Sequence, residues 1–170
     1  MSMLLVLGGA RSGKSAFALK RAEAFDGAPV LIATAEAGDG EMAERIARHR
    51  AERGPRWRTV EAPLEIAEVV AALTPGEVGV VDCLTLWLSN LMHADREIER
   101  ETDRLIAAAA HRNLILIANE VGLGIVPDNA LARRFRDAAG RLNQTLAAVA
   151  DEVVFVAAGL PMTLKIASRD

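Results

Sequence analysis

Cysteine is nearly absent from this 170-residue chain. Cys83 alone cannot close an internal disulfide, which suits a reducing compartment. No run reaches the roughly 18 apolar residues of a membrane helix, and the amino terminus has neither a basic segment nor an extended apolar core. The expectation is a cytoplasmic protein without stable membrane insertion. A basic excess is missing too: the net charge is −3 and the pI about 5.7, which argues against a dedicated nucleic-acid binder. Lysine is scarce, with Lys14, Lys20 and Lys165 against seventeen arginines. Arginine's fork suits phosphate contacts, although genome base composition produces the same bias. None of the lysines completes the Asn-Lys-x-Asp tetrapeptide that reads guanine in regulatory GTPases. No Cys/His cluster has metal-ligand spacing, and no Ser/His/Asp arrangement can be placed. Tyrosine is absent and Trp57 and Trp87 are the two large indoles, so no stacking platform can be assigned.

What is present starts at the first turn. An apolar run, Met3 to Leu7, precedes Gly8, Gly9, Ala10, Arg11, Ser12, Gly13, Lys14 and Ser15, and a helix-favouring stretch follows to Phe25. Strand, glycine-bounded octapeptide and helix together form a P-loop, whose backbone N–H groups wrap a phosphate chain. Such a match arises by chance on the order of once in two hundred chains. Lys14 would reach the β- and γ-phosphates, Ser15 would put its hydroxyl on Mg²⁺, and the helix dipole would point its positive end at the same anion. All eight residues are candidate nucleotide contacts.

Length fits a single domain over residues 1–170, with no linker, repeat or low-complexity segment. Continuous apolar runs predict strands at Leu4 to Leu7, Val30 to Thr34, Trp57 to Val60, Val78 to Asp82, Leu114 to Ala118 and Val153 to Ala157, with an edge strand at Met162 to Ile166. Helices are expected near 14–25, 40–53, 63–73, 84–111 with a break at Met92 to Asp95, and 129–150. This alternation predicts an α/β fold with a doubly wound, mostly parallel sheet. The charge run Asp95 to Arg104 reads as a solvated helix face, with Ile98, Thr102 and Leu105 inward.

Val78 to Asp82 has the shape of a Walker B strand. Asp82 would hold Mg²⁺ directly or through water, the competing role being a cap for the next helix. On the expected helix 40–53, Met42, Ile46, His49 and Arg53 share a face. His49 there is either a core residue or a reactive one. Arg45, Arg48, Arg50 and Arg53 around it disfavour the imidazolium and keep the ring nucleophilic. His93 and His111 read as surface residues.

The phosphate loop, Ile32-Ala33-Thr34, the Glu41 to His49 helix, Trp57-Arg58-Thr59 with Glu61, the block Asn119-Glu120-Val121-Gly122-Leu123-Gly124-Ile125-Val126-Pro127, and Arg133 through Asn143-Gln144 resemble the bifunctional adenosylcobinamide kinase/adenosylcobinamide-phosphate guanylyltransferase family of cobalamin synthesis. The likeness covers nearly the whole chain. It implies a P-loop NTPase fold of the RecA-like type, assembly as a homotrimer, Mg²⁺, and GTP and ATP as substrates. It implies two reactions: phosphorylation of the aminopropanol hydroxyl of adenosylcobinamide, then transfer of GMP through a histidine to adenosylcobinamide phosphate. By motif position that histidine is His49, with Lys14 as the other catalytic residue. Nucleotide contacts would fall on Thr34, Arg50 to Arg53, Glu61 and Asp82, and metal contacts on Ser15 and Asp82. Asn119 and Glu120, at a strand end, are candidates for the corrinoid side chain or a bound water, while Gly122 and Gly124 equally suit a tight turn. Two features depart from the family pattern: Gly54 intervenes between Arg53 and Pro55, and the helix after the P-loop lacks an acidic residue near Leu19. A single-function P-loop kinase and a non-catalytic nucleotide switch are the rival readings.

Overall fold

Strands whose middles are runs of Leu, Val, Ile and Ala need cover on both faces, and the fold supplies it. The computed structural model describes residues 2–35 and 54–166. Among them, one seven-stranded sheet is built from β1 (Met3–Gly8), β2 (Ala28–Ala33), β3 (Arg58–Glu61), β4 (Glu77–Asp82), β5 (Asn113–Asn119), β6 (Glu152–Ala157) and β7 (Leu160–Ile166), in the order β3-β2-β4-β5-β1-β6-β7. Every neighbouring pair runs parallel except the hairpin of β6 and β7.

The helices are α1 (Lys14–Glu23), α2 (Ile66–Ala71), α3 (Leu84–His93), α4 (Ile98–Ala109) and α5 (Ala130–Val149). They divide between the two faces of the sheet. Ala18 and Ala22 of α1 pack on Leu4, Val6, Leu31, Val80, Ile117 and Val156. The alternate strand residues Leu5, Val30, Ile32, Leu114 and Leu116 meet the apolar faces of the other four helices, around Trp87, Leu88, Leu105 and Leu146. The expected doubly wound arrangement is therefore present, with element ends shifted by at most three residues. The long helical stretch breaks as expected: α3 ends at His93, Asp95 takes φ 52, and α4 restarts at Ile98. The expected helix 40–53, with His49, Arg50 and Arg53, lies outside the described residues. No helix among the described residues is long and apolar enough to cross a membrane.

One charge in the run Asp95 to Arg104 is not solvated. Thr102 and Leu105 are buried, as expected, but Glu101 is buried beside them. Its two oxygens accept from Arg96 at 2.7 Å and from Arg104 at 2.8 Å, while Arg96 also meets Glu65 and Arg104 meets Glu68. The cause is geometric: Glu101 stands next to Thr102 on the inward side of α4, and the two arginines, each still partly exposed, reach it from the rim and neutralise it. Burial alone would push the Glu101 carboxyl up, but the hydrogen bond from Arg96 and the charges of Arg104 and Arg96 outweigh it and hold it below its ordinary value. A carboxylate depressed in this way stabilises the fold fully above its unfolded value near 4.5, and that share is lost as pH falls through the folded value. Glu101→Gln should therefore cost roughly 2 kcal/mol at pH 7, between the worth of surface and fully buried pairs. The variant should also lose less stability than the parent on acidification below about pH 5, measured by urea unfolding. Equal stability of the two proteins at pH 7 would refute the assignment.

Candidate functional site

β1 ends at Gly8 and α1 begins at Lys14, so the octapeptide has to reverse direction in five residues. Two positions there admit only glycine. A Cβ on Gly8 would lie 2.5 Å from both Ser12 Oγ and the Val156 carbonyl. Gly13 takes φ 95, and its Cβ would come within 3.1 Å of Gly159 Cα. The turn is braced from two sides: Ser12 N–H donates to Gly9 O at 3.2 Å, and Gly159 N–H, from the β6–β7 turn, donates to Ser12 O at 2.7 Å. Arg11 sits at φ 56, exposed on the rim.

The loop's polar groups are arranged for an anion that the described residues do not supply. Lys14 is 8% exposed, and Nζ donates to Gly9 O at 3.1 Å. No carboxylate among the described residues pairs with it. A buried ammonium bonded to one carbonyl keeps two donors and an uncompensated charge. Ser12 Oγ is buried without a partner, and α1 has neither a side-chain cap nor an acidic residue in its first turn, which leaves N–H groups at its positive end. Phosphate answers all three needs.

Parallel pairing brings the other candidates to the same edge. Ala33 pairs with Glu61 on one side and Asp82 on the other, Asp82 with Ile117, and Gly8 with Asn119. Asp82, half-buried, lies two strands from Gly8, about 10 Å, and exposed Glu61 four strands away, about 19 Å. Ser15 and Asp82 offer hard oxygen donors of the kind Mg²⁺ takes when phosphates and waters complete its shell. The donor set fits that ion.

Thr34 is fully buried at the end of this row. Its hydroxyl donates to Cys83 O at 2.8 Å and accepts from Cys83 N–H at 2.8 Å, so it ties the end of β2 to the residue after Asp82. Its contribution is to position Asp82. Burial, aided by the Asp82 charge, pushes the Cys83 thiol up and keeps it protonated. Two further residues do similar work and were missed in the sequence. Asn90 donates to Thr34 O and Pro63 O, each at 2.9 Å, and Thr85 Oγ1 accepts from Asn119 N–H at 2.6 Å. The available signal was three polar residues, Thr85, Ser89 and Asn90, in the otherwise apolar Leu84 to Met92. His93 and His111 are exposed, as expected, and His49, Arg50 and Arg53 lie outside the described residues.

Comparison with known proteins adds the following. Residues 4–164 match the family model described as cobinamide kinase/cobinamide phosphate guanyltransferase. The bifunctional adenosylcobalamin biosynthesis protein CobP of Pseudomonas aeruginosa is 47% identical over 166 residues, covering 95% of this chain and 96% of that protein. The bifunctional adenosylcobalamin biosynthesis protein CobU of Salmonella typhimurium is 42% identical, covering 96% and 99%. Among solved structures, the flagellar accessory protein FlaH of Methanocaldococcus jannaschii superposes with a TM-score of 0.57 at 14% identity over 98% of this chain and 79% of that one. The RadB recombinase superposes at 0.50 and 15% identity over 91% and 73%. The fold is that of the RecA-like P-loop NTPases.

Lys14→Ala should weaken binding of a non-hydrolysable nucleoside triphosphate by roughly 10–100-fold, the worth of one or two charge-assisted hydrogen bonds, as read by calorimetry. Retained affinity would show that the cradle does not use its buried ammonium. Thr34→Val should instead lower stability by about 1–3 kcal/mol by orphaning the Cys83 N–H, with affinity changed much less than in Lys14→Ala. A large affinity loss at unchanged stability would make Thr34 a direct contact.

Proposed function

Because the chain belongs to the cobinamide kinase/cobinamide phosphate guanyltransferase family, we propose that the single phosphate cradle at the carboxyl edge of its sheet serves both reactions in turn. The enzyme is an adenosylcobinamide kinase and adenosylcobinamide-phosphate guanylyltransferase of cobalamin biosynthesis. The observation that carries the one-site reading is the buried Lys14 ammonium, which has no carboxylate partner among the described residues and sits in a turn that only glycine can close.

In the kinase step the triphosphate of ATP or GTP lies along the octapeptide, its β- and γ-phosphates answered by Lys14 and by the N–H groups at the start of α1. Mg²⁺ held by Ser15 and Asp82 would supply neutralisation of the phosphate charge. In-line attack by the corrinoid's aminopropanol hydroxyl on the γ-phosphorus then needs the hydroxyl held in line and its proton taken up. Glu61, four strands from Gly8, suits the nucleoside end of the ligand rather than its phosphates.

The guanylyl step uses GTP and a different phosphorus. Here His49 is the nucleophile: its neutral imidazole attacks the α-phosphorus and pyrophosphate leaves. The phosphate of adenosylcobinamide phosphate then takes the GMP from the ring and yields adenosylcobinamide-GDP. Arg45, Arg48, Arg50 and Arg53 keep the imidazole unprotonated and offset the phosphate charge brought to it. Holding ring and phosphorus together supplies roughly 7–11 kcal/mol of the barrier reduction.

The enzyme works in the cytoplasm and without nucleic acid, in keeping with its net charge of −3. Its homotrimeric assembly is supported by the outward residues Leu160, Met162, Leu164 and Ile166 on edge strand β7, each more than half exposed, an apolar row that a monomer would leave in water.

Incubation with α-labelled GTP and Mg²⁺ should leave acid-labile, base-stable label on the protein, and His49→Asn should abolish it while sparing nucleotide binding. Label that persists in the variant would remove His49 from the mechanism. Phosphorylation of cobinamide with no protein-bound label in the parent would leave a kinase of one function.

A further inference from the structure

Between the phosphate loop and Asp82 the sheet edge carries one more carboxylate. β5 lies between β1 and β4. Its register sets Asn119 beside Gly8, and the next residue, Glu120, donates its backbone N–H to the Gly8 carbonyl at 3.0 Å. Glu120 is thus pinned to the first residue of the cradle. On the other side of β5, Asp82 pairs with Ile117, three positions earlier along the strand.

The carboxylate is half-buried and held in place. Oε1 accepts from Gly122 N–H, and a Cβ on Gly122 would come within 2.8 Å of that oxygen, so a side chain there would displace the carboxylate from this position. Oε2 meets no donor among the described residues, and no arginine or lysine among them pairs with Glu120. A fixed negative charge with no cationic partner among the described residues, set beside an anion cradle, opposes phosphate binding. Its presence there calls for chemistry that needs a base.

Of the two reactions, only the kinase step has a proton to remove. Its acceptor is an alcohol, whereas the acceptor of GMP is a phosphate already ionised at neutral pH. We propose that Glu120 is the general base of phosphorylation, an inference that rests on the activity assigned above. The Glu120 carboxylate takes the hydroxyl proton as the alcohol oxygen bonds to the γ-phosphorus. The bond from that phosphorus to the β,γ-bridging oxygen breaks, and the nucleoside diphosphate leaves with the electron pair. Asn119, fixed through Thr85, and Gly122 act as positioning residues on either side.

The test compares the two half-reactions in the full-length protein. In Glu120→Gln, turnover of cobinamide with nucleoside triphosphate should fall by about 10²–10⁴-fold. Its KM for the nucleotide should stay level or drop, since a repulsive charge is gone. GMP transfer from GTP to separately supplied cobinamide phosphate should stay within threefold of the parent, and Glu120→Asp should recover part of the kinase rate. Gly122→Ala, which crowds Oε1, should lower the kinase rate at least tenfold with GMP transfer intact. Kinase turnover within tenfold of the parent in Glu120→Gln overturns the proposal, as does an equal loss of both reactions in both the Gln and Asp variants. Failure of the parent itself to phosphorylate cobinamide would instead sink the assigned activity.

Discussion

Parallel pairing of β1 between β5 and β6 is the constraint on which the site depends. Strands covered by helices on both faces have nowhere to present polar groups except at their ends. Because the central strands all run the same way, those ends gather along one edge. Gly8, Thr34, Glu61, Asp82 and Glu120 each stand at or just past the carboxyl end of a different strand. The edge is then stitched crosswise: Thr34 to Cys83, Asn90 to Thr34, Thr85 to Asn119, and Glu120 to Gly8. These bonds keep the row in register at the point where the ladder itself stops.

Two buried charges illustrate how structure and function divide the same physics. Glu101 is met inside the chain by Arg96 and Arg104, so its desolvation is offset whenever the protein is folded. Among the described residues Lys14 is met by one carbonyl, and its remaining need is left for a ligand. A buried ion that the fold neutralises is a stabilising feature. One that the fold leaves open is a binding site, and the difference lies in the partners rather than in the depth of burial.

The site also has to serve two phosphorus atoms of one kind of ligand. A cradle built from backbone N–H groups, a helix end and a single ammonium recognises a phosphate chain without regard to which phosphate reacts. Selection between γ-transfer and α-transfer then falls to groups outside the cradle. Glu120, anchored to Gly8, is matched to an acceptor with a proton to lose. In the proposed guanylyl step His49 is matched to an acceptor without one.

Much of this was legible in the residues. Apolar runs without alternation marked the buried strands, the break near Asp95 separated α3 from α4, and the spacing of Gly8, Gly13, Lys14 and Ser15 marked the cradle, because backbone reversal, burial and phosphate contact each restrict residue type locally. Other features were not legible in this way. Glu101 sits among surface charges of the same kind, and only the packing of α4 shows that it is inside. Nothing local to Thr34, Thr85 or Asn90 announces that they join separate strands, since their partners lie 27 to 56 residues away in the chain. Sequence by itself determined the alternation of strand and helix, the phosphate loop and the family, all of which are written in short-range spacing. The tertiary structure alone decided which polar groups stand together at the sheet edge and which buried charge is left for a ligand, because strand order and register are settled by long-range pairing.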